Sequence, residues 1–139
     1  LFILVGALET IGVIDILAEK VLLVTKGNIS LTAGLVLWFS SILSSFLDNI
    51  PYVATMIPLI TTVSGGAVAA YAPVWWALSI GACLGGNGTI IGASANVVSR
   101  SILEKHGFKI SFLSYLKVAF PLMILSIAIS TVYLIIFHI

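Results

Sequence analysis

Asp48-Asn49-Ile50-Pro51 and Gly85-Gly86-Asn87-Gly88-Thr89 set helix-breaking and polar residues inside sequence that is otherwise apolar enough to lie in a bilayer. In hydrocarbon a freed backbone N–H or C=O costs several kcal/mol unless it is buried in protein or faces a water-filled cavity. Irregular backbone at that depth needs a reason, and holding an ion or solute is the commonest one.

Composition supports the membrane setting. Sixty percent of the 139 residues are hydrophobic and 8% are charged, with a mean hydropathy of +1.25; soluble domains carry roughly 25% charge. The charges also cluster. Glu9, Asp15, Glu19, Lys20 and Lys26 lie at one end, Arg100, Glu104, Lys105, Lys109 and Lys117 near the other, and Asp48 alone between them. Residues 27–99 therefore read as membrane-embedded apart from Asp48. A formal net charge of +1 without a basic patch argues against nucleic acid as a partner. The single Cys83 excludes an intrachain disulfide and a Cys-rich zinc site. The first eight residues are apolar, follow no basic region and do not begin with Met, so the chain is expected to be a fragment of a longer membrane protein.

Along the chain, residues 1–24 predict a helical region interrupted near Glu9-Thr10-Ile11-Gly12. Its continuation carries Asp15, Glu19 and Lys20 on one face, as a helix at the interface would, and Lys26-Gly27-Asn28 ends it. Leu31–Leu47 and Tyr52–Ser64 are runs of 17 and 13 residues flanking the first break. At about 1.5 Å per residue these arms reach about 25 and 20 Å, whereas a crossing of the roughly 30 Å core needs about 20 residues. The lengths predict a re-entrant hairpin over 31–64, with Pro51 in the first turn of the returning helix, Asn49 as a cap, and Pro58 kinking the second arm. Ser41, Ser44 or Ser45, and Asp48 recur at helical spacing, a polar stripe leading to the tip.

Pro73 begins the next helix, which Gly85-Gly86-Asn87-Gly88 unwinds in its middle; 73–104 thus reads as a broken helix. Its second half is expected to open at Asn87 or Thr89 and to carry Thr89, Gly92 or Ala93, Asn96 and Arg100 on one face. Gly107 closes a polar loop, Phe108–Leu116 reads as a short amphipathic connector, and Lys117–His138 as the final span. Four basic residues from 100 to 117 against Lys20 and Lys26 place that loop in the cytoplasm and the hairpin mouth outside.

Helix N-termini at Pro51 and Thr89 would favour an anion, while the free carbonyls of the preceding half-helices, with Asp48, Asn49 and Asn87, offer oxygen ligands for a hard cation such as Na⁺. Asp48 could instead carry a proton. A packing role competes with these, because Gly81-x-x-x-Gly85 and Gly88-x-x-x-Gly92 are small-xxx-small patterns. A remote enzymatic alternative uses Ser94 in Gly92-Ala93-Ser94-Ala95, which resembles the nucleophile site of rhomboid intramembrane proteases, with His138 as base. A passive anchor would need neither Asp48 nor Asn87 in the membrane.

The runs from Asp48 to Pro58 and from Leu84 to Val98 closely resemble the ion transporter superfamily, nearest to its arsenite permease, Na⁺/H⁺ antiporter and melanocyte P protein branch. Leu4–Glu9 and Glu104–Phe108 resemble the same branch. The resemblance implies an all-α membrane protein of two inverted repeats, each with a re-entrant hairpin and a broken helix, of which residues 1–139 would be the C-terminal one. It implies a multi-pass transporter of the plasma or an organellar membrane, moving an inorganic ion or small anion of the arsenite type with H⁺ or Na⁺ as coupling ion and no other cofactor. An Na⁺/H⁺ antiporter is the alternative. The partners would be the missing N-terminal half, the lipid bilayer and, as one assembly, a second copy. The implied binding residues are Asp48, Asn49, Pro51, Thr55, Gly86, Asn87, Gly88, Thr89, Ser94 and Asn96, with Na⁺ near Asp48, Asn49 and Asn87. Related dicarboxylate carriers tend to have Ser-Asn-Thr where this chain has Asp48-Asn49-Ile50, so a carboxylate is added and a hydroxyl lost at the tip. Arsenite capture by thiolates would want more than Cys83.

Overall fold

A computed structural model describes residue 7 and residues 10–138; the side chains of residues 13–15 and 17 lie outside that description. Glu9, the Leu4–Glu9 resemblance and the placing of Asp15 on a polar face fall outside the described parts. Among the described residues all regular structure is helical: α1 Val13–Thr25, α2 Ile29–Ser44, α3 Asn49–Ser64, α4 Ala72–Gly85, α5 Ser94–Lys105 and α6 Phe112–Phe137.

The helix ends follow from local chemistry. Gly12, at φ 76°, stands before α1, and Lys26 and Gly27 take left-handed φ values of 51° and 72° after it, a conformation that stops a helix. Asn28 then caps α2, its Oδ1 accepting from the N–H of Ser30 at 2.9 Å and of Leu31 at 3.2 Å. At the start of α3 the capping position is held by Asp48, whose side chain makes no cap hydrogen bond. Asn49 is the first helical residue and not the cap. Pro51 is the third, still within the first turn, whose N–H groups have no intrahelical partner. The helix continues through Pro58 to Ser64, and Gly65 at φ 55° closes it.

Three boundaries differ from expectation. The first arm ends at Ser44 and not at Leu47, so its break covers 45–48 and Asn49 to Pro51 already belong to α3. The half-helix after the glycines opens at Ser94, with Ala93 as an uncapped N-cap, not at Asn87 or Thr89. Thr89 is held by hydrogen bonds to a distant part of the chain, described below, and residues 86–93 stay irregular. Thr89 and Arg100 therefore do not share a helical face. The last helix begins at Phe112 because Ser111 caps it, accepting from the Ser114 N–H at 3.1 Å, so the expected connector Phe108–Leu116 is divided: 108–111 precede the helix and 112–116 open it.

The pair α2 and α4 forms the centre of the molecule. A Cβ added to Gly81 would lie 2.6 Å from the Leu37 carbonyl oxygen, and one at Gly85 would run into the backbone of Ser41. The facing Ser40, Ser41 and Ser44 are fully buried. This is the backbone-to-backbone approach that small residues permit between membrane helices. Leu37, Val74, Ala77 and Leu78 continue the contact, and Met123, Ile127 and Leu134 of α6 pack onto it. The indole N–H of Trp38 donates to Thr131 Oγ1 at 3.2 Å across the same boundary. Near the tip, Tyr52 of α3 donates to Ser40 Oγ at 2.9 Å, joining the two arms.

Among the described helices α6 is long and apolar enough to cross a bilayer: 26 residues, with a mean hydropathy of 2.3 over its best window, only 17% of which is buried. Leu122, Leu125, Ile129 and Ile136 are all exposed.

Gly85→Ala should lower the thermal midpoint of the complete protein in detergent, through an overpacking cost of about 1–3 kcal/mol. Gly34→Ala, on α2 with nothing within 4 Å of its added Cβ, should not. Equal melting of the two variants would mean that α2 and α4 are not in backbone contact.

Candidate functional site

The two breaks meet. Helices α2 and α4 both end where they touch, so the turn 45–48 and the irregular segment 86–93 emerge side by side. Fully buried polar groups stitch them together. Ser45 Oγ approaches the carbonyls of Ser41 at 2.8 Å and Gly85 at 2.9 Å. Thr89 Oγ1 donates to the Ser45 carbonyl and accepts from the Gly92 N–H at 3.1 Å. Asn96, at the start of α5, reaches back with Nδ2 to the carbonyls of Gly86 at 2.9 Å and Thr89 at 3.0 Å, fastening the beginning and the middle of the unwound segment.

Asn49 closes the junction from the hairpin side. Its carboxamide lies against Gly86, where an added Cβ would sit 2.8 Å from Oδ1 and 3.1 Å from Nδ2. Ser44 Oγ contacts both this carboxamide and the Ala82 carbonyl, the latter at 2.9 Å. One hydroxyl has one hydrogen, so Ser44 Oγ donates to Asn49 Oδ1 or to the Ala82 carbonyl and not to both at once. Gly92 packs among three carbonyls: an added Cβ would meet Gly86 O at 2.7 Å, Ser45 O at 2.8 Å and Ser44 O at 2.9 Å.

Of the residues singled out from sequence, Asn49, Gly86, Gly88, Thr89 and Asn96 come together here. Gly88 does so by lying where a Cβ would meet Ser45 Oγ at 2.6 Å. Asp48 is exposed and not tied into the junction. Asn87 is exposed too, and its carbonyl accepts from Tyr115 OH at 3.4 Å. Pro51 and Thr55 line a crevice on the other side of α3, and Ser94 is exposed. Ser44, Ser45 and Gly92 were not singled out as site residues, although the serine stripe and the small-residue spacing both ran through them.

The arrangement is rich in oxygen and poor in charge. Carbonyl ends of α2 and α4, each with partial negative character, converge with the Asn49 carboxamide, while the N-terminus of α3 leaves from the same place. Such a set can hold a hard cation through oxygen, or turn N–H groups towards an anion. Among the described residues no three His, Cys, Asp or Glu side chains gather into a metal site, and Cys83 is exposed. Ser94 and His138 do not form a catalytic pair. His138 stacks on Trp76 with ring centroids 5.5 Å apart, in the first turns of α4, whereas Ser94 lies beyond the other end of that helix.

Residues 1–81 match the family model described as citrate transporter. The P protein of Mus musculus is 40% identical over 146 residues, covering 100% of this chain and 18% of that protein. An uncharacterized transporter of Mycobacterium tuberculosis is 47% identical over 137 residues, 96% of this chain and 32% of its own length. The 46 kDa membrane protein of Mycobacterium leprae is 42% identical over 136 residues, again 96% and 32%. The chain thus spans between 17% and 32% of the length of these curated relatives. No solved structure matches it. With the two breaks joined and a family model matching more than half its length, the chain belongs to the citrate transporter family of the ion transporter superfamily, a family of membrane transporters.

Proposed function

We propose that this chain is the C-terminal repeat of a secondary active transporter and supplies half of its transport site at the junction of residues 44–49 and 86–96. The supporting observation is the convergence itself: Thr89 on the Ser45 carbonyl, Asn96 on the Gly86 and Thr89 carbonyls, and Asn49 against Gly86. In this reading α2 and α3, each 16 residues and about 24 Å long, form a re-entrant hairpin too short for two full crossings. Helices α4 and α5 are the two halves of one broken span, and the tied unit shifts as a body relative to the rest of the protein, which makes the protein multi-pass.

The cargo is an inorganic ion or small anion, with H⁺ or Na⁺ as coupling ion. Citrate, in the family's name, does not carry over directly, because the matched residues 1–81 stop short of the glycine segment. Asp48 favours cation coupling: it is exposed at the tip, where a cation could approach it from the other half. A Na⁺/H⁺ antiporter uses the same residue as the titrating ligand.

Flux into proteoliposomes of the complete protein, scanned over Na⁺, H⁺, arsenite and small organic anions, tests the proposal; an inactive preparation of well-folded protein would sink it. Asp48→Asn should change the pH dependence of transport, and an unaltered profile would remove the proton-carrier version. Thr89→Val should leave the buried Ser45 carbonyl without its donor at a cost of about 1–3 kcal/mol, enough to cut flux about fivefold or more, while Thr89→Ser retains most of it. If valine transports as well as serine, the latch between the breaks has no part in the cycle.

A further inference from the structure

One end of α6 carries the aromatic cluster of a membrane surface. The His138 ring stacks on Trp76 with centroids 5.5 Å apart, Tyr133 meets His138 edge-on at 5.5 Å, and Phe137 lies 5.1 Å from Tyr133. Trp76 and Tyr133 both remain exposed. Rings with an apolar body and a polar edge collect at headgroup level, so this cluster sets one boundary of the hydrocarbon. A core roughly 30 Å thick, at about 1.5 Å per residue, then reaches back along α6 by about 20 residues, from Tyr133 to the neighbourhood of Leu113.

The other boundary therefore falls at the corner between α5 and α6, and that corner is basic. Lys105 is the last residue of α5, Lys109 stands in the connection, and Lys117 lies one turn beyond Leu113 on the same face of α6. All three lysines are exposed. None pairs with a carboxylate among the described residues, and Glu104 is already held by Arg100 at 2.9 Å. The corner has a defined shape. Gly107, at φ 87°, ends α5, the Gly107 N–H donating to the Glu104 carbonyl at 3.1 Å and the Phe108 N–H to the Leu103 carbonyl at 3.0 Å, and Ser111 then caps α6.

Apolar side chains surround the lysines: Phe108, Leu113 and Val118 are each 64–65% exposed. An ammonium on this outward face of a spanning helix is costly in hydrocarbon, and the flexible stem of Lys117 returns it to the headgroup layer. There it joins Lys105 and Lys109. Three free cations beside an outward apolar surface complement a headgroup of net negative charge carried on acyl chains. A zwitterionic headgroup brings its own ammonium into the same layer and forfeits most of that attraction. A soluble anion has nothing to set against the apolar side chains.

We propose that the α5–α6 corner is a binding site for an anionic phospholipid, with Lys105, Lys109 and Lys117 facing its phosphate and Leu113 and Val118 against the upper part of its chains. The site lies apart from the junction of the two breaks and uses none of its residues.

The test places the complete transporter in phosphatidylcholine liposomes containing a small proportion of either phosphatidylglycerol or phosphatidylcholine that carries a photoreactive diazirine in its acyl chain near the glycerol ester, followed by peptide mapping. Adducts at the Tyr133–Phe137 end serve as the reference, because no lysine of α6 or of the adjoining α4 stands there. Scaled to that reference, phosphatidylglycerol should label Leu113 and Val118 about fivefold or more over phosphatidylcholine, the effect of at least one lysine near an anionic surface. The excess should vanish when Lys105→Gln, Lys109→Gln and Lys117→Gln are combined; the three side chains are exposed, and unchanged labelling at the reference end shows that the variant is folded. Equal labelling by the two lipids at the corner would overturn the proposal, as would an excess that survives the triple replacement. A corner covered by another part of the transporter takes no label from either lipid, and that too overturns it.

Discussion

The architecture depends on the absence of side chains at Gly81 and Gly85. Because no Cβ stands between α4 and the carbonyls of Leu37 and Ser41, the two backbones touch. That contact sets both helices at one level along their axes. Their last turns then coincide, and the segments that follow, 45–48 and 86–93, have to leave from the same place. Widening the pair by one methyl group would carry Thr89 away from the Ser45 carbonyl and Asn49 away from Gly86. Close packing and a polar junction, which competed as explanations for the glycines, are therefore successive consequences of one constraint. The glycines at 81 and 85 bring the breaks together, and those at 86, 88 and 92 leave room inside the junction.

Much of this was legible in the sequence because it is encoded locally. Gly12, the Lys26-Gly27-Asn28 stop and Gly107 each act through the conformation of one or two residues, and they fall where the pattern placed them. The existence of the two breaks was visible for the same reason, but not their bounds: the pattern set them at 48–51 and 85–89, and they lie at 45–48 and 86–93. The start of α5 was not: Thr89 looked like a helix cap, but its hydroxyl is engaged by the Ser45 carbonyl, 44 residues away, and the helix begins only at Ser94. The start of α6 was obscured differently. Lys117 looked like a membrane boundary, yet a lysine is tolerated within a helix when its stem is apolar, and Ser111 rather than charge decides where the helix begins.

The roles of Asp48 and Asn49 show a further limit. Adjacent residues at a tip point in different directions, and which of them faces α4 depends on how the irregular turn 45–48 rotates α3 relative to α2. Sequence periodicity carries phase through a helix but loses it across such a turn. The neutral carboxamide consequently seals the junction from within while the carboxylate is left outside it.

The serine and threonine hydroxyls in the helices share one habit. Thr25, Thr32, Ser41, Thr55, Ser126, Ser130 and Thr131 each donate to the carbonyl four residues earlier in their own helix, at distances of 2.6–3.0 Å. A hydroxyl occupied in this way needs no partner from another segment to enter hydrocarbon. Each helix can therefore be delivered into the lipid on its own during biosynthesis, with its polar side chains already quiet. Among the described residues, the hydroxyls of Ser40, Ser44, Tyr52, Thr89 and Tyr115, which bond across segments, have to wait for their neighbours to arrive.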